Sequence, residues 1–184
     1  RGAATTVEVS APTIPSPIGF MKGYTWGWNT GRGGYLGPGP IFSMQELAAL
    51  GCNWVTIAYA AHLPEWNQPR LIYGEDDPGM PSDDEIRLAI RLARRHGLKV
   101  CLKPVVNLGK GAPQGEFRSS IGFTTADGKI DDAAWKKWWE EYDAYILHHA
   151  KLAQETGCEL FCLGCEMRSM EPYEWQWRDL IKKV

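Results

Sequence analysis

The sequence predicts an α/β fold of the (β/α)8 TIM-barrel type, with only about the first four βα units present in this chain. Three observations carry that prediction. Strand-like apolar runs alternate with helical segments four times along the 184 residues. The loops that follow strands are much longer than the loops that follow helices, the asymmetry of a barrel whose functional loops lie at the strand C-terminal ends. A doubly wound sheet also alternates, but Gly31-Arg32-Gly33-Gly34 runs on into Tyr-Leu-Gly-Pro-Gly-Pro rather than into a helix, so a phosphate-cradling turn is poorly supported.

Residues 1–17 are small, polar and Pro-rich, which predicts an extended arm or linker ahead of a domain over residues 18–184. The aromatic-loaded residues 18–28 predict the first strand. Residues 29–40 hold five Gly and two Pro and predict a long loop. Ser43 and Glu46 have capping-box spacing and predict a short helix to Leu50, closed by Gly51. Residues 53–60 predict the second strand, followed by a long loop to Pro81. A second capping box, Ser82 with Glu85, opens a helix whose apolar face is Ile86, Ala89, Ile90 and Ala93, and His96-Gly97 ends it.

Residues 99–106 predict the third strand and residues 107–130 a Gly-rich loop. Asp131 starts a long helix that buries Trp135, Trp138, Tyr142 and Ile146 and stops at Gly157. The apolar run 159–167 predicts a fourth strand, buried on both faces, that ends on the carboxylate of Glu166. Pro172 suits the first turn of a last helix. The chain starts at Arg1 without Met and stops at Val184 without a cap. Four units are half of eight, and the expectation is a piece of a longer protein.

Composition narrows the function classes. A net charge of −2 argues against nucleic acid or an anionic membrane surface as a partner. No apolar stretch approaches a membrane span. The five cysteines are Cys52, Cys101, Cys158, Cys162 and Cys165, an odd number that forbids a complete disulfide framework within the chain. Cys162 and Cys165 would point to opposite faces of one strand, so free thiols acting as small apolar residues fit better than a metal cluster. No metal or cofactor is expected. Nine Trp and seven Tyr are many for this length, and rings in loops can stack on sugar faces or simply pack the core.

Glu166 is the leading catalytic candidate. A charged side chain closing a buried strand is costly unless it has partners or a job, although a Glu that merely turns to solvent there is equally compatible with the spacing. Trp26, Trp28 and Tyr59 close strands one and two and are candidates for a substrate-binding floor, with core packing as the alternative. Lys103 and Asn107 fall on one face of strand three by alternation. Asn107 could bond a hydroxyl, and Lys103 could pair with Glu166 or an interior neighbour. His62, Trp66, Phe117 and Arg118 are loop residues open to either a sugar contact or a plain surface role. Glu75-Asp76-Asp77 reads as a solvated acidic turn.

Five stretches together carry a resemblance: residues 22–28 (KGYTWGW), 53–59 (NWVTIAY), 81–86 (PSDDEI), 97–104 (GLKVCLKP) and 164–166 (GCE). From Phe20 to Val184 the sequence resembles the N-terminal half of glycoside hydrolase family 113, the β-mannanases of clan A. The resemblance implies a retaining hydrolase of β-1,4-mannosidic bonds, with mannan or manno-oligosaccharide as its substrate partner. It puts the acid/base at Glu166, closing strand four, and the nucleophile on a seventh strand beyond Val184. Cys165 departs from the Asn that most clan members carry before the acid/base. The open sheet edges of such a half-barrel imply pairing with the missing C-terminal half or self-association. Two other functions stay open: a non-catalytic carbohydrate-binding fragment, and a clan A glucanase or xylanase.

Overall fold

A computed structural model describes residues 17–28 and 30–184; nearly all of the expected arm lies outside the described residues. Four parallel strands, β1 (Gly23–Trp26), β2 (Trp54–His62), β3 (Lys99–Asn107) and β4 (Leu160–Phe161), form one sheet in the order β1-β2-β3-β4. The helices between and after them are α1 (Pro38–Ala49), α2 (Asp83–Arg95), α3 (Asp132–Thr156) and α4 (Glu174–Lys183).

Register divides the strand side chains into two sets. Val55, Ile57 and Tyr59 of β2 and Val100, Leu102 and Val106 of β3 join the helix-side core. The alternate residues form rows across the other face: Thr25, Thr56 and Cys101, then Ala58 with Lys103, Ala60 with Val105, and His62 with Asn107. That second face is the barrel-interior side, and its upper end is the rim.

α2 follows its sequence signals closely. Ser82 accepts from the Glu85 amide at 3.3 Å, and the Glu85 carboxylate accepts from the Ser82 amide at 2.8 Å. α3 is held at its start by the Asp131 side chain, which accepts from the Ala134 amide at 2.9 Å, and at its end by Gly157 in the left-handed region at φ 67°. α3 buries Trp139, Tyr145, His149, Leu152 and Ala153 in addition to the four residues expected. Burying each large side chain contributes about 1.5–3 kcal/mol, so packing rather than propensity holds this helix.

Several boundaries differ from the sequence reading. α1 begins at Pro38 with Gly37 as its cap, because a proline at the first helical position is already set for the helix; Ser43 is therefore interior and caps nothing. β1 pairs only over residues 23–26. Pro172 lies ahead of α4, whose cap is Tyr173. The largest difference is β4, which pairs with β3 over only two residues, Leu160 with Cys101 and Phe161 with Leu102. Beyond the Cys162 amide, which still reaches the Leu102 carbonyl at 2.9 Å, the run leaves ladder geometry. Strand alternation, used above to place Cys162 and Cys165 on opposite faces, therefore does not govern residues 163–166.

Candidate active site

The run from β4 to Glu166 is irregular backbone, and helix side chains hold it. The Tyr142 hydroxyl of α3 donates to the Leu163 carbonyl at 2.8 Å, while its neighbour Tyr145 donates to Val105 of β3 at 2.9 Å. Two phenols one helical turn apart thus fix the end of β3 and the run before Glu166 relative to each other. A Cβ on Gly164 would stand 2.9 Å from the Trp177 ring and 3.3 Å from the Tyr142 hydroxyl. Glycine is required there because helix and backbone approach so closely.

Two residues later, Glu166 is the only non-glycine among the described residues with positive φ, at 57°. A side chain in that left-handed region costs of order 1 kcal/mol, and such strain persists only where its surroundings over-determine it. The effect is to aim the carboxylate over the end of β3 rather than along a strand face. Glu166 remains 57% exposed.

Its partner is Arg118, on a short 3-10 turn (Arg118–Ser120) in the loop after β3. Arg118 is only 6% exposed. Its Nε donates to the Val106 carbonyl at 2.8 Å, its Nη2 to Asn107 Oδ1 at 2.7 Å, and its Nη1 to Glu166 Oε2. The guanidinium carbon sits 4.7 Å from the Trp28 ring centre, a cation–π contact. One guanidinium therefore joins four elements: the β1 loop, the end of β3, its own loop and the β4 run. Around this group lies a cleft of about 390 Å³ lined by Thr25, Trp28, Ala58, Lys103, Phe117, Arg118, Cys165 and Glu166.

The expected site residues separate into those that meet here and those that do not. Glu166, Trp28 and Lys103 line the cleft, and Asn107 reaches it through Arg118. Lys103 is not the recorded ion-pair partner of Glu166; Arg118 is. Trp26 turns to the helix side, stacking on Tyr35 with ring centres 4.8 Å apart. Tyr59 is fully buried beneath α3, its hydroxyl 3.0 Å from His149 Nδ1, so it cannot form a sugar-stacking floor. β2 continues two residues past the predicted end, which is why Tyr59 lies inside the strand rather than at its rim.

The sequence reading also missed a histidine pair. Asp77 is 3% exposed rather than solvated; one of its oxygens accepts from the Gly79 amide at 2.7 Å and the other meets His62 Nδ1 at 2.7 Å. His62 ends β2 directly beside Asn107, so its ring is oriented at the rim of the same face. The signal available in sequence was weak: a histidine closing a strand, fifteen residues before an acidic turn.

With the geometry established, similarity to known proteins decides the family. The profile of Glycoside Hydrolase Family 113 matches residues 24–184. The chain belongs to that family. A solved family 113 β-mannanase from Alicyclobacillus acidocaldarius, AaManA in complex with ManMIm, is 38% identical; the match covers 91% of this chain and 51% of that one, with a TM-score of 0.80. Two further solved family 113 β-1,4-mannanase structures, one of them a complex, are each 33% identical, with the match covering 89% of this chain and 51% of theirs and a TM-score of 0.74. No protein with curated function matches. The family 113 chain described here spans about half the length of these structures, and its four parallel strands with alternating helices are of their TIM-barrel type.

Proposed function

We propose that the protein is a retaining glycoside hydrolase acting on β-1,4-mannosidic bonds of mannan or manno-oligosaccharides, with Glu166 as its general acid/base. The observation that carries this reading is Glu166 itself: a carboxylate in strained backbone after a barrel strand, facing a cleft walled by Trp28 and Arg118. The AaManA complex and the family 113 β-1,4-mannanase support the choice of substrate.

In a retaining mechanism two carboxyls flank the scissile bond, about 5–5.5 Å apart. Glu166 would protonate the leaving oxygen while a nucleophilic carboxylate, from outside these residues, attacks the anomeric carbon. Glu166 would then take a proton from water as that water displaces the nucleophile. The ion pair with Arg118 suits the second role, in which Glu166 is a carboxylate base. In the first role Glu166 must carry a proton, so the pair must open when substrate enters. Trp28 offers an exposed ring face for a sugar, and Lys103 and Asn107 offer donors to hydroxyls. The edges of β1 and β4, which have no partner among the described residues, would pair with the rest of the barrel, and the 184-residue stretch alone would release no reducing sugar.

The test uses the intact protein. Glu166→Ala should slow mannan hydrolysis by several orders of magnitude, because the leaving group is no longer protonated. An aryl mannoside with a good leaving group should still form the glycosyl-enzyme and then stall. Azide, which needs no general base, should restore turnover and yield the β-mannosyl azide. Near-normal activity of the variant on mannan, or equal slowing of both substrates with no azide effect, would refute the assignment.

A further inference from the structure

On the outer side of the sheet, away from the cleft, Asp83 at the start of α2 meets His148 and His149 in the last third of α3. Their ligating atoms all lie within 4.8 Å of one another. His148 Nε2 is already 2.8 Å from Asp83 Oδ2. Two atoms of this group are buried and have no hydrogen-bond partner among the described residues: Asp83 Oδ1 and His149 Nε2. His149 is wholly buried, and an unpaired nitrogen in such a place costs about 1–3 kcal/mol. Its other nitrogen, Nδ1, is held by the Tyr59 hydroxyl at 3.0 Å, which leaves Nε2 as the ligating atom.

We propose that Asp83, His148 and His149 form a site for a divalent transition-metal ion of the zinc class, clamping the first turn of α2 to α3. The donor set decides the ion. Two imidazoles and one carboxylate suit zinc and its neighbours, whereas magnesium and calcium call for oxygen ligands. Ligand atoms around tetrahedral zinc are roughly 3.3 Å apart, so the cluster needs only a modest adjustment. His148 is partly exposed, and its exposure gives the ion a way in; binding would replace its direct contact with Asp83 by two bonds to the metal. The remaining features fit. Arg87, on the same helix as Asp83, is paired with Glu155 at 2.7 Å. Tyr59 stands where the outer partner of a metal-bound histidine stands, fixing the ring through its second nitrogen.

The test uses tag-free intact protein, stripped with chelator and freed of it. Zn²⁺ titrated by calorimetry should bind one equivalent per chain, and Co²⁺ in its place should give a visible ligand-field absorption band. His148→Ala should abolish both signals while the metal-free protein still unfolds in one cooperative transition, its melting lowered only by the loss of the Asp83 ion pair. Tyr59→Phe keeps the ring in the core and should weaken binding by about 10–100-fold. Absence of a stoichiometric site would overturn the proposal. So would Zn²⁺ binding unchanged in both variants, or displacement of Zn²⁺ by an equal concentration of Mg²⁺.

Discussion

Replacing Arg118 by Met keeps the buried stem and removes the guanidinium, which separates structural from functional consequences. Three acceptors lose their donor. The Val106 carbonyl belongs to a fully buried residue and loses a charged hydrogen bond, a loss of about 1–3 kcal/mol. Asn107 is half-buried and can turn its amide toward the cleft, so its share is about 0.5–1 kcal/mol. Glu166 is more than half exposed, and solvent screening limits that ion pair to less than about 1 kcal/mol. The sum is about 1.5–5 kcal/mol, read as a lowered urea midpoint at unchanged slope. Activity should fall further than stability explains. Misplacing a reacting group by an ångström costs about 10²-fold, so kcat/KM on manno-oligosaccharide, normalised to folded protein, should drop by about two orders of magnitude. Arg118→Lys restores the charge but not the planar fork, and it should recover only a fraction of either quantity. A stability change under about 0.5 kcal/mol, the level of an uninvolved surface residue, would refute the buried network. A large stability loss with unaltered kcat/KM would show that Arg118 does not hold Glu166.

Three further outcomes follow from the same geometry. Glu166→Gly should be inactive yet at least as stable as Glu166→Ala, by up to about 1 kcal/mol in chemical denaturation, because glycine accepts the positive φ without strain; a less stable Gly variant would contradict the left-handed backbone. Gly164→Ala should destabilise by about 1–3 kcal/mol and lower kcat, since the added methyl drives Trp177 and the Tyr142 hydroxyl away; a neutral effect on both denaturation and turnover would count against the close approach. Trp28→Ala should raise KM for longer oligosaccharides with little change in melting, whereas Tyr59→Ala should cost about 3–5 kcal/mol as an emptied core site; the reverse pattern would exchange their roles.

What could be read from the sequence was what depends on neighbours in the chain. α3 was legible because its apolar residues recur at helical spacing between Asp131, which caps its start, and Gly157, which ends it in the left-handed region. The Ser82 and Glu85 box was legible for the same reason, since both partners sit within one turn. The same pattern misled at Ser43, where Pro38 had already started the helix. Residues 159–167 are apolar enough to be a strand, but periodicity cannot tell a laddered run from one held by Tyr142 and Trp177. The centre of the cleft was hidden for a deeper reason. Arg118 meets Glu166 across 48 residues, and buried Asp77 meets His62 across 15. Glu166 could be singled out from local sequence; its partners could not.

The Glu85 carboxylate does more than start α2. Its second oxygen accepts from the Gly33 amide at 2.6 Å, while the adjoining Arg32 side chain reaches Glu75, Gly74 and Asp77 in the loop after β2. The loops that follow β1 and β2 are therefore latched to each other and to a helix end. Binding on that side of the rim has little ordering entropy left to lose. Adaptation to different chain lengths or branches would fall to the opposite side, where the long segment between β3 and α3 carries Phe117 and Arg118. In the proposed enzyme the β1 and β2 loops would be the pre-ordered part of the rim, and selectivity among oligosaccharides would be set by the segments that face them.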